Sequence, residues 1–313
     1  MVLVHTKEGF MLALSKRHIG AFAVLATTLS LTLSACGGSD TSTTDASAAP
    51  AGGSDAAVVA LVPAAIAADG VITFGTELGY PPFEYTEADG TTLTGFDIDL
   101  ATAAAELMGL TPEFKNSSFD SIIPSVISKR YDAGISSFTV NAERLKQVDF
   151  ASYLNSGDAG VVPVGNPKGI ALDLSICGTK VGVLKGSTQE TVSAPQLNAA
   201  CKEAGKPEAS ITVIAASDQM PIALQSGRVD ALISDSGNAA DVAEKSNGKF
   251  EVPAGPLLNP VILGALTAKS SNLAPALQAA FQKLIDNGTY QQIADKYNLS
   301  TSVITTSEVN PKV

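Results

Sequence analysis

Residues 120–136 (DSIIPSVISKRYDAGIS) recur as residues 218–234 (DQMPIALQSGRVDALIS), 98 positions downstream, with seven of seventeen aligned residues identical. Average residue usage gives about one match in such a window. Each copy reads as an amphipathic helix, a turn at Lys129 and Arg130 or at Gly227 and Arg228, and a short apolar strand stopping at Ser136 and Ser137 or at Ser234 and Asp235. Small ligands bind beyond the carboxyl ends of strands in open α/β sheets. Two such units facing each other would therefore present two polar rims to one cleft, the layout of a clamp.

The rest of the chain supplies elements for both units. The first set reads as strand 71–76, helix 97–108, strand 113–116, helix 120–129, strand 132–136 and helix 141–147. A strand at 160–164, within a segment rich in Gly and Asn, leads to strand 180–184, helix 191–204, strand 211–214, helix 219–226 and strand 230–233. This alternation predicts an α/β fold with mostly parallel sheets and helices on both faces. A strand at 260–268 precedes helices 273–286 and 289–296, which have no lobe of their own. The chain is thus expected to cross into a second lobe near 160 and return near 260. That gives a discontinuous first lobe (56–159 and 260–313), a second lobe (160–259) and a two-strand hinge.

The amino terminus reads differently. Lys16, Arg17 and His18 precede an apolar run over 19–33 that ends in Leu33, Ser34, Ala35 and Cys36. Basic, apolar and small-residue zones in that order describe an export signal. Its ending resembles a bacterial lipobox, which implies cleavage after residue 35 and lipidation of Cys36; Met11 is a second candidate start. Residues 36–55, mostly Gly, Ser, Thr, Ala and Asp, read as a flexible tether. The apolar run 56–68 is too short to span a bilayer and is broken by Pro63, so it reads as a helical lead-in.

The leader carries three basic residues and one acidic, so the mature chain would hold 17 basic against 30 acidic side chains, which disfavours nucleic acid as a partner. Both histidines, His5 and His18, fall in the leader. The mature chain then has no Ser-His-Asp or Cys-His catalysis and no histidine metal site. Cys177 and Cys201 are expected to be bridged in an exported chain, with a contribution of about 3 kcal/mol on the chain-entropy model. The pair Asp97 and Asp99 fits a helix start better than a metal site, and no Walker or dinucleotide fingerprint is present.

Arg144 and Asp235 are the first candidates for binding. Arg144 follows a strand end at the start of a predicted helix, where anions are favoured and a guanidinium grips a carboxylate through two parallel hydrogen bonds. Ser136, Ser137 and Thr139 add neutral donors and acceptors nearby. Asp235 occupies the matching strand end of the other unit. One cation and one anion across a cleft complement an α-amino acid zwitterion.

The segments GTELGYPPF (75–83), GFDIDL (95–100), SSFTVNAER (136–144), VGVLKGSTQE (181–190) and GTY (288–290) resemble the polar amino-acid group of extracellular solute-binding proteins, in that family's order and over 61–299. The resemblance implies the type II periplasmic-binding-protein fold, no cofactor, and a monomer serving an ATP-driven importer. Its partners would be an amino acid, a permease in the cytoplasmic membrane and, through Cys36, the bilayer's outer face. It further implies that Arg144 and the Thr188 loop hold the ligand carboxylate, and Asp235 and Thr139 its ammonium, supported by Ser136 and Ser137. Glu77, Tyr80, Phe119 and Leu184 would surround the side chain. The stretches around 136 and 184 look most like the lysine, arginine, ornithine and histidine binders. Asn141 and Ala142 depart from the family pattern, as does Tyr153, which stands alone where an aromatic pair is usual. Glu77 predicts a preference for a cationic or amide side chain, provided Lys185 points away from the pocket. The rival readings are a dehydratase-like enzyme on the same scaffold, with Glu77 as its general acid, and a sensor without transport.

Overall fold

The computed structural model describes residues 53–313. The expected leader, Cys36 and most of the tether lie outside them. Pro63 splits the lead-in into α1 (Ala56–Val59) and α2 (Ala64–Asp69). There follow β1 (Val71–Thr76), the small hairpin β2 (Tyr85–Thr86) and β3 (Leu93–Thr94), α3 (Phe96–Leu107), β4 (Thr111–Asn116), α4 (Phe119–Ile127), β5 (Ala133–Gly134) and the single turn α5 (Ala142–Leu145). A long strand β6 (Val148–Pro163) leads to β7 (Lys180–Leu184), α6 (Ala194–Glu203), β8 (Ser210–Ile214), α7 (Gln219–Gln225), β9 (Ala231–Asp235) and α8 (Ser236–Lys245). The chain closes with β10 (Phe250–Glu251), a second long strand β11 (Leu258–Ala268), α9 (Ala274–Asp286) and α10 (Thr289–Lys296).

The sheet runs β4-β1-β5-β11-β6-β9-β7-β8, with β10 added to β6. Its order is the same read from either edge: three parallel strands, then a long antiparallel one. β1 pairs in parallel with β4 and β5, and β7 with β8 and β9. β11 borders the first group and β6 the second, both antiparallel. The two long strands pair with each other from Val148 opposite Ala268 to Asp158 opposite Leu258, with register shifts between Leu258 and Val261 and between Leu263 and Gly264. Helical crossovers between parallel strands explain each group. The sequence echo is one helix-turn-strand unit used in both, since Lys129 (φ 60°) and Gly227 (φ 71°) occupy equivalent left-handed turns.

Several elements differ from expectation. The strand expected at 160–164 is only the end of β6. Its glycines stand where space is tight: a Cβ at Gly157 would lie 3.0 Å from Leu257 and one at Gly160 3.2 Å from Pro253. The helix expected at 191–204 begins as a π-helical turn, Gln189–Ser193, before α6. Strand 132–136 shrinks to β5, helix 141–147 shrinks to one turn, and α8, starting directly after Asp235, was not anticipated.

One apolar cluster joins β1, α3, α9 and α10 through Phe74, Phe96, Leu100, Leu277, Phe281 and Tyr290. Another, beneath β7 and α6, gathers Val181, Val183, Leu197 and Ile233. The expected disulfide stitches its edge: Cys177, before β7, is bonded to Cys201 on α6 with Cα atoms 5.6 Å apart. A third cluster, including Phe119, Phe138, Leu184 and Met220, draws on both groups and forms the floor of the space between them. Among the described residues no helix is long and apolar enough to cross a membrane.

Candidate functional site

The carboxyl ends of β1, β5, β7 and β9 converge on a small closed cavity, and all ten residues expected to meet a ligand line it. Glu77 and Tyr80 follow β1, Ser136, Ser137 and Thr139 follow β5, Leu184 ends β7 with Thr188 in the next turn, and Asp235 ends β9. Phe119 opens α4, and Arg144 lies in α5.

Arg144 is the decisive group. It is 7% exposed, and among the described residues it makes no ion pair. Its Nη1 donates to the Thr139 carbonyl at 2.9 Å and its Nη2 to the Gly186 carbonyl at 3.2 Å. The guanidinium carbon sits 5.2 Å from the ring centre of Phe138 and 5.6 Å from that of Phe119, two rings themselves stacked at 4.5 Å. Phe119 is therefore backed by Phe138 and Arg144 rather than standing as a free wall. Burial lowers the guanidinium pKa to about 10, partly offset by Asp235, so it stays charged at neutral pH. The helix-terminus contribution expected here does not arise, because α5 has one turn and Arg144 sits in its last residues. A charged fork held by neutral partners is built to receive an anion.

The opposite wall is acidic. Asp235 accepts from Tyr80 Oη at 2.8 Å and from Gln189 Nε2 at 3.3 Å, and its own N–H donates back to Tyr80 Oη at 3.2 Å. Burial pushes its carboxyl up to about 7, with Tyr80 pulling the other way. Glu77 Oε1 accepts from the Ser217 backbone N–H at 2.9 Å, and burial raises it likewise to about 7. Lys185 does not neutralise it. Its Nζ is 2.8 Å from Asp120, and its side chain is 56% exposed. Thr139 and Thr188 hydroxyls meet at 3.2 Å across the cleft.

The echo also supplies the contacts that close the space. A Cβ at Gly186 (φ 78°) would meet Asp120 Cβ at 2.8 Å, and one at Gly79 (φ 105°) would meet Asp218 Cβ at 3.2 Å. Asp120 and Asp218 are the matching first residues of the two echoes, so each strand group lays a glycine turn against the helix start of the other. The space left inside is about 20 Å³, roughly what one water needs. A space of that size admits no amino acid unless the two sides part.

A larger cavity of about 640 Å³ lies beyond the Thr139–Thr188 contact, along β6 and β11, but it includes neither Arg144 nor Asp235. Among the described residues no group of three potential metal ligands forms. Gln189, Glu84, Ser187, Met220, Ile233 and Ser234 also line the closed cavity and were not anticipated. Gln189 follows Thr188 in the same motif, and Ser234 precedes Asp235 in the echo, so both were adjacent to recognised signals. Met220 had no such signal, because its position depends on how α7 docks.

Comparison with known proteins accords with this geometry. The family of bacterial extracellular solute-binding proteins, family 3, matches residues 72–300. The chain is 34% identical over 253 residues to the arginine-binding protein ArgT of Corynebacterium glutamicum, covering 81% of this chain and 82% of that one. It is 31% identical over 234 residues to the histidine-binding periplasmic protein of Salmonella typhimurium, covering 72% and 86%. Among solved structures, an ancestral arginine-binding protein bound to arginine superposes with a TM-score of 0.65 at 34% identity, covering 73% of this chain and 98% of that one. The type II architecture expected from the motifs is therefore the architecture of its structural neighbours. These relatives are binding proteins, not enzymes.

Proposed function

The chain belongs to the bacterial extracellular solute-binding proteins, family 3, and on that premise we propose that it captures an L-amino acid with a basic side chain and delivers it to the permease of an ATP-driven importer. The carrying observation is the buried Arg144, without an ion-pair partner among the described residues, lining one cavity with the buried acids Asp235 and Glu77. In this reading the ligand carboxylate takes Arg144 and the Thr188 loop. The ammonium displaces Tyr80 and Gln189 from Asp235, beside Thr139, Ser136 and Ser137. The side chain runs along Phe119, Leu184 and Tyr80 toward Glu77. Relatives named for arginine and histidine, and Lys185 held by Asp120, support a cationic rather than an acidic ligand. Residues 56–159 with 260–313 would form one lobe and 160–259 the other. The switch of β6 from β11 to β9 near Asp158 supports that boundary. In a thermal-shift panel, arginine, lysine, ornithine or histidine should raise the melting temperature most and glutamate and aspartate least. A dominant response to glutamate would refute the proposed pocket charge.

Export with lipidation at Cys36 completes the proposal and rests on the sequence pattern. A mature chain recovered from its native host without acyl modification at Cys36, as read by intact-mass spectrometry, would refute anchoring while leaving the pocket untouched.

A further inference from the structure

Two buried carboxyl groups lie side by side at the cavity, Glu84 in its lining and Asp97 next to it. Glu84, just before β2, and Asp97, in the first turn of α3, are both 0% exposed. Ser136 Oγ donates to Glu84 Oε1 at 2.6 Å. The Ser137 backbone N–H and Tyr153 Oη both donate to Asp97 Oδ2 at 2.8 Å. The remaining oxygens, Glu84 Oε2 and Asp97 Oδ1, are buried with no partner, although the two side chains lie within hydrogen-bonding reach of each other. Among the described residues neither carboxyl takes part in an ion pair.

Two buried carboxylates side by side, each with an orphaned oxygen, would be strongly unfavourable. One proton relieves both difficulties, because a protonated carboxyl can donate to its neighbour where two carboxylates can only accept. Aspartic dyads hold a single proton for the same like-charge reason.

We propose that Glu84 and Asp97 share one proton and act as the positioning pair of the binding cleft, holding Ser136 and Ser137 where they meet the ligand. The role of the two serines is that of the function proposed above. Ser137 carries φ 52°, a left-handed conformation that is unfavourable for a residue with a side chain. Its N–H bond to Asp97 holds it there, leaving its Oγ buried and unpartnered. Ser136 spans the same layer, since its Oγ also accepts from the Glu77 N–H at 3.2 Å.

Burial, reinforced by Asp97, pushes Glu84 well above the ordinary carboxyl range, and burial brings Asp97 to about 7, so the pair keeps a proton at neutral pH. The charged groups facing the pair are also carboxyls: Glu77 after β1 and Asp235 on β9. Tyr153 on β6 and the two serines are neutral donors. Raised folded pKa values mean that the pair's stabilisation is fully present below the unfolded values and lost as pH rises through the folded ones.

Glu84→Gln tests the pair, because its amide can accept from Ser136 and donate to Asp97 without a proton. The wild-type infrared spectrum should show, beyond the contributions of Glu77 and Asp235, a protonated-carboxyl band at neutral pH that E84Q removes. E84Q should also lose less melting temperature than wild type between mildly acid and alkaline pH, a comparison in which Glu77 and Asp235 contribute to both proteins. Arginine affinity should fall further in E84A than in E84Q, by about tenfold or more relative to wild type. Asp97→Asn, with the same infrared readout, serves if E84Q does not fold. No carboxyl band removed by either variant, with parallel pH slopes, would overturn the shared proton. Equal affinity in E84A and wild type would overturn the positioning role. The infrared result stands even if Arg144 proves unrelated to binding.

Discussion

Arg144→Met and Arg144→Ala should each weaken arginine binding by about 100-fold or more, the scale for truncating one partner of a buried, hydrogen-bonded charge pair. Isothermal titration would read the loss. Stability should behave differently. In the free protein the guanidinium has no carboxylate partner among the described residues, only two backbone carbonyls and two phenyl faces. Its desolvation is therefore only partly compensated until a ligand arrives. Met preserves the packing against Phe119 and Phe138 while removing the charge, so the ligand-free R144M protein should melt at or above the wild-type temperature. A structural cation would show the opposite pattern, with stability lost and affinity retained. Unchanged affinity in R144M would remove Arg144 from the site.

The contrast between Arg144 and Met220 shows what could be read from sequence. Strand ends in a parallel sheet are visible as an apolar run meeting polar residues, and the echo marked two of them. Ser136, Ser137 and Asp235 were therefore legible without coordinates. Glu77, Tyr80, Thr188 and Leu184 came through motif resemblance, which works because those turns keep a fixed relation to β1 and β7. The first long strand was the main misreading, because only its end, 160–164, was read as a strand. Gly157 and Gly160 lie in it where Leu257 and Pro253 approach closely and leave little room for side chains, a fact set by partners about 100 residues away. Asp97 shows the same limit. Its place in the first turn of α3 was readable, whereas its burial against Glu84 depends on the docking of β5 and β6. Local periodicity carries elements, and pairs distant in sequence carry the polar layer beneath the site.

Glu77 should make the affinity for a cationic amino acid depend on pH in a way that an amide ligand does not share. Burial holds its carboxyl at about 7 in the closed, ligand-free cavity. Below that value the free protein keeps Glu77 largely protonated, and a guanidinium or ammonium must displace the proton. Arginine affinity should thus rise as pH increases through 7, and binding in mildly acid buffer should release protons. Asp235 is also raised to about 7, but in the proposed pose it meets the α-ammonium of any amino acid. It would give arginine and glutamine the same slope. The difference between those two slopes isolates Glu77. Stability has the opposite sign in the free protein, where a raised folded pKa means stabilisation present below the unfolded value and lost as pH rises through about 7; bound arginine should reverse that loss. Glu77→Gln should weaken arginine by about tenfold to 100-fold, because a charge facing a cation in a closed cavity is replaced by a dipole. Glutamine affinity should move little. Calorimetry in buffers of different ionisation enthalpy counts the protons directly, and equal proton release for arginine and glutamine would show that Glu77 does not face the ligand side chain.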